Sequence, residues 1–199
     1  MRRKISVLII AMCALFSQTI ADNSSPQYPS ETIVLKLPDS TRKDWKEAGK
    51  FCTQEMALAL LIPINQTPEN ETESITIQYL MDWKDIKSIE DAVDIIGESI
   101  LSLYPKNTTT WKILEKNKTD IIYEWIVHKP YEHFPVQHEI SRVFLTEQGF
   151  HRISFTHKHS VMSSAEKAKW VKSLRELSSV VSAKEAAAAT QGISIMNLQ

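Results

Sequence analysis

The stretch EISRVFLTEQGFHRISFTH, residues 139–157, decides the fold. Two runs rich in branched and aromatic residues, 139–146 and 150–157, are separated by Glu147-Gln148-Gly149. Gly149 is free to take the positive φ of a tight hairpin, so the runs predict adjacent antiparallel strands with Ile153 and Phe155 in the core. Working outward, strands are predicted over 111–114 and 121–128. Upstream, Ile75, Ile77, Tyr79 and Met81 alternate with Thr76, Gln78 and Leu80, giving a strand over 75–81. A short β-rich run, 32–37, is stopped by Pro38 and suits an opening or edge strand.

Two helices frame these strands. Ser88-Ile89-Glu90-Asp91 places a capping hydroxyl ahead of a carboxylate, and Ile89, Ala92, Val93, Ile96, Ile100 and Leu103 form one apolar stripe, predicting a helix over 88–104. Ser163-Ser164-Ala165-Glu166 opens a second helix with Ala168, Val171, Leu174, Leu177 and Val181 inward and Trp170 on its rim. Helical propensity runs on to Ala189, and the tail from Ile193 is expected to fray. Residues 39–62 stay open: Trp45, Ala48, Cys52, Met56 and Leu60 fall at helical spacing, while Cys52, Met56, Leu58, Leu60 and Ile62 fit alternation. The fold class is α+β, a single antiparallel sheet packed by an internal helix and a long C-terminal helix.

The 199 residues suit one domain. Residues 1–21 have the parts of an export signal: Arg2, Arg3 and Lys4, an apolar run over 5–16, and Thr19-Ile20-Ala21 as a cleavage site. The apolar run is shorter than the ~20 residues of a permanent span. The expected layout is a cleaved signal over 1–21, a polar tether over 22–30, one domain over 31–182, and a helix extension and tail over 183–199. Cleavage leaves 20 basic against 24 acidic residues, a net charge of −4, which argues against nucleic acid or an anionic membrane as a partner. The four glycines are too dispersed for a phosphate-cradling loop. Cys52 is the lone cysteine after cleavage, either a buried small hydrophobe or a bridge to another chain. Five Asn-x-Ser/Thr triplets, at Asn23, Asn65, Asn70, Asn107 and Asn117, fall where turns are expected and read as turn chemistry.

All six histidines lie between His128 and His159. On a strand, His157 and His159 would share one face at about 7 Å, a spacing suited to a zinc or copper ion, with His151 at the same parity. The competing reading makes them the exposed end of a hairpin strand. No Gly-x-Ser-x-Gly elbow occurs, and His138-Glu139 lacks the second histidine of a zinc-protease helix, so no enzyme is predicted and no cofactor is required. The loop KPYEHFPVQ, residues 129–137, presents Tyr131 and Phe134 between prolines, either as a stiff contact surface for a protein partner or as a cover for the sheet end.

Several segments together resemble small exported bacterial proteins of uncharacterised function: IPINQT (62–67), ESITIQ (73–78), DIIYEW (120–125), QHEISR (137–142), GFHRI (149–153) and KWV (169–171). The element order is also similar to the PsbP/Mog1 fold. That resemblance implies a single α+β sandwich in which 52–62 is strand, and an accessory or binding role without a catalytic centre. The expected function is a periplasmic or secreted, non-catalytic binding protein of the bacterial envelope, using Tyr131 and Phe134. The alternative is a zinc- or copper-binding protein using His151, His157 and His159.

Overall fold

A computed structural model of the chain describes residues 32–35, 45–52, 56–80, 86–132, 134–146, 149–176, 178–180 and 193–195. In chain order the elements are β1 (Thr32–Leu35), β2 (Trp45–Cys52), β3 (Met56–Pro63), β4 (Glu73–Leu80), α1 (Ile89–Ser102), β5 (Thr109–Lys116), β6 (Asp120–Val127), β7 (Gln137–Thr146), β8 (Gly149–Lys158), α2 (Ser164–Arg175), β9 (Ser178–Val180) and β10 (Ile193–Ile195). Seven strands form one antiparallel sheet in the order β2-β3-β4-β8-β7-β6-β5, and β1 pairs with both β9 and β10 in a smaller one. The hairpin β7–β8 lies inside the large sheet, in register from Gln137 opposite Lys158 to Thr146 opposite Gly149, whose φ is 137°.

The open segment resolves into two strands. From Met56 to Ile62 every residue of β3 is buried, so the strand reads as a continuous apolar run rather than an alternation. Ala57, Ala59 and Leu61 join the core on one face, and Leu58, Leu60 and Ile62 cluster on the other. Helical spacing through Trp45 and Ala48 was coincidental; a shift in register between Glu47 and Gly49 disturbs β2 there.

Each face of the sheet carries one helix. Ser88 accepts the Asp91 amide at 3.1 Å and starts α1, whose Ile89, Val93, Ile96 and Ile100 bury against Ile121, Tyr123, Trp125 and Val127 of β6. Ser163 accepts the Glu166 amide at 3.2 Å and starts α2, which packs on the opposite face over Ile140, Ile153 and Phe155.

The predicted phase and length of α2 need correction. Trp170, expected on the rim, is buried and stacks on Phe155 with ring centroids 3.7 Å apart, while Ala168 is exposed. The large indole gains more from the sheet than a methyl does, so it sets the rotation of the helix. The helix ends at Arg175 rather than running to Ala189, and Ser178–Val180 is strand, paired with β1. The tail expected to fray contributes β10, likewise paired with β1. Propensity is a weak local bias that pairing overrides. The signal, the tether and residues 181–192 lie outside the described residues. Among the described residues no helix is long and apolar enough to cross a membrane.

Candidate functional site

The α1 side of the sheet holds a buried polar cluster. Ser74, Thr76 and Gln78 on β4, Arg152, Ser154 and Thr156 on β8, and Glu139 and Ser141 on β7 share one parity, and all are at most 6% exposed. Arg152 organises them: Nη2 donates to Glu139 Oε1 at 2.5 Å, Nη1 to Gln78 Oε1 at 2.6 Å, and Nε to the Tyr123 hydroxyl at 2.7 Å. Glu139 also accepts from the hydroxyls of Ser141 (2.6 Å) and Thr156 (3.1 Å). Burial pushes the Tyr123 phenol above its ordinary pKa, which keeps it protonated. Chemically this is a charge pair held by neutral donors and acceptors, suited to fixing strand register rather than to moving protons.

On the opposite face, His138 of β7 is buried beneath the start of α2. Its Nε2 lies 3.3 Å from Glu124 Oε2, its Nδ1 accepts the Met162 amide at 3.1 Å, and Lys167 of α2 reaches Glu124 Oε2 at 2.6 Å. Burial lowers the His138 pKa, with Glu124 opposing. Nearby, Arg142 pairs with Asp120 at 3.3 Å and donates to the Leu174 carbonyl at 2.8 Å, tying down the end of α2.

The residues singled out from sequence fall in separate places. His151 is buried near the hairpin end of β8, between Phe144 (5.2 Å) and Tyr79 (4.9 Å), with Nε2 3.1 Å from the Thr146 hydroxyl. Burial pushes its pKa down to about 4. His157 lies near the far end of the same strand, its Nδ1 3.9 Å from Glu166. His159 is beyond the strand, which ends at Lys158, and has φ 69°. The chain turns between the two imidazoles, so the shared strand face assumed for them does not hold. Among the described residues no three His, Cys, Asp or Glu side chains are grouped to hold a metal ion. Cys52 lies in β2, opposite Ala57 of β3.

Tyr131 and Phe134 close a tight corner. Each backbone amide donates to the other's carbonyl, at 3.0 and 2.8 Å, and Glu132 between them has φ 52°. Both side chains are half-buried against the α1-side core, and the Phe134 ring lies 5.3 Å from Tyr104. The triplet asparagines Asn65, Asn70, Asn107 and Asn117 are exposed, and two act as turn formers: Asn70 Oδ1 accepts the Thr67 amide, and Asn117 Oδ1 accepts those of Thr119 and Asp120.

Sequence reasoning missed Arg152, Glu139, Glu124 and the role of His138. The available signal was parity: Thr76 and Gln78 share a face with Ser154, Arg152, Ser141 and Glu139 once the strands are aligned, and a polar stripe so central in a sheet must be satisfied internally.

No protein-family model matches the chain, and no curated protein shows significant sequence similarity to it. Among solved structures, a point mutant of the protein Mog1 is similar, with a TM-score of 0.45 and 14% identity, over 72% of this chain and 89% of that one. What the chain is similar to in that comparison is an arrangement of strands and helices, α+β and Mog1-like.

Proposed function

We propose that the protein is an exported, non-catalytic accessory protein of the bacterial cell envelope that acts through protein–protein contacts. The observation that supports this reading is the Tyr131–Phe134 corner, cross-bonded through its own backbone and anchored by Phe134 beside Tyr104. An aromatic ring held on a stiff turn loses little conformational entropy when a partner covers it. Tyr131 supplies the contact, exposed Glu132 favours a basic group on the partner, and Phe134 holds the turn in place.

The test places a photo-crosslinking residue at Tyr131, and separately at exposed Lys112 as a control, in the full chain expressed in its native host. The reading expects a discrete cross-linked polypeptide from position 131 alone, and a mature N-terminus at Asp22. Equal or absent cross-linking at the two positions rejects the contact surface. A retained N-terminal segment on cytoplasmic protein rejects export.

A further inference from the structure

The linker between β8 and α2 is held to the sheet through one imidazole. The Met162 amide donates to His138 Nδ1, so that nitrogen carries a lone pair and the ring proton sits on Nε2, facing Glu124. Glu124 in turn holds Lys167 in the first turn of α2, which Ser163 caps. Met162–His138–Glu124–Lys167 is therefore one chain of contacts joining linker, sheet and helix. We propose that His138 is a proton-operated latch: its neutral ring fastens the linker and the first turn of α2 to the sheet, and a proton on Nδ1 releases them.

A protonated Nδ1 is a donor facing another donor, the Met162 amide, in a buried setting where neither finds water. The charged groups around the ring divide. Glu124 of β6 favours the added charge; Lys167 of α2 and His157, the cross-strand partner on β8, oppose it. Glu73 of β4 and Glu166 of α2 face His157 rather than His138, and the Ser160 hydroxyl is 3.5 Å from His157 Nε2. With burial as the largest influence, the folded chain holds its His138 proton less tightly than the unfolded chain does. Stability of this end of α2 is present at neutral pH and is lost as pH falls below about 6.5. Release withdraws Met162 from the core that also holds Trp170 and Phe155.

Amide hydrogen exchange of the full chain, expressed as protection factors, tests the latch. Between about pH 7.5 and about pH 4.5, Met162 protection should fall by about tenfold or more. In His138→Gln, whose side-chain oxygen can accept from Met162 while its amide donates to Glu124, protection should stay level; in His157→Gln the fall should persist. A flat wild-type profile, or a fall that persists in folded His138→Gln, overturns the proposal. Should His138→Gln fail to fold, nitrogen NMR of the wild-type ring decides: the Nε2–H tautomer at neutral pH supports the latch, and the Nδ1–H tautomer overturns it.

Discussion

A guanidinium inside a β-sheet is tolerated only while its partners are present, and Arg152 has Glu139, Gln78 and Tyr123 within 2.7 Å. Glu139→Ala strands that charge and should cost about 3–5 kcal/mol in urea unfolding, whereas an apolar pair replacing both residues should cost far less. A single-variant loss below about 1 kcal/mol would mean that the ion pair does not carry the cluster. His151 gives a second test at this scale. Its folded pKa of about 4 lies below the ordinary value of 6.5, so the unfolded chain binds the proton more tightly. Stability is complete above 6.5 and falls by up to about 3 kcal/mol as pH drops toward 4. His151→Phe keeps a ring between Phe144 and Tyr79 and should flatten this loss, read from unfolding midpoints across that range. These roles were only partly legible in the sequence. Ile153 and Phe155 announced a core by alternation, but the partners of Arg152 lie on β4, β6 and β7, up to 74 residues away, and emerge only when register is known.

At the scale of elements, capping and periodicity were informative where packing agreed with them. Ser88 and Ser163 cap as read, and α1 buries the expected stripe from Ile89 to Ile100, with Leu103 as its half-buried C-cap. Rotation of α2 was not readable, because the decision belongs to the Phe155–Trp170 stack and the Trp45 ring edge-on to it at 6.3 Å. Periodicity alone left 45–52 and 56–63 undecided, since β3 is buried on both faces and its apolar run is continuous; the resemblance, which implied strand over 52–62, agrees with β3. Gly97 shows what fixes the approach of α1 to the sheet. A Cβ there would lie 3.1 Å from Trp111, whose indole is stacked at 4.3 Å on buried Tyr123. Glycine costs a helix interior about 1 kcal/mol against alanine, and the close approach of Trp111 offsets that cost. Gly97→Val should lower stability by about 1–3 kcal/mol through overpacking, measured by thermal unfolding. An unchanged or raised midpoint would show that Trp111 yields.

For the whole molecule, the governing constraint is that a seven-stranded open sheet has two edges to protect. At β5 the protection is visible: register shifts between Ile113 and Glu115, Lys112 and Lys116 are exposed, and Lys116 pairs with Glu90 of α1 at 3.3 Å. Arg175, the last residue of α2, bonds Glu115 and so joins this edge to the helix on the opposite face. The bulge breaks the pattern an incoming strand would need, and each lysine makes docking of a like edge costly. Half-exposed Trp111 and exposed Ile113 would otherwise leave a β-prone, apolar strip open to a second chain. Replacing Lys112 and Lys116 together by valine should therefore leave the chain folded but promote further self-association, seen as concentration-dependent growth in light scattering beyond that of the wild type at neutral pH. Both residues are exposed, so stability itself should change by less than about 0.5 kcal/mol. If the double variant stays as monodisperse as the wild type, the bulge alone guards the edge, and the lysines have no part in keeping the molecules apart.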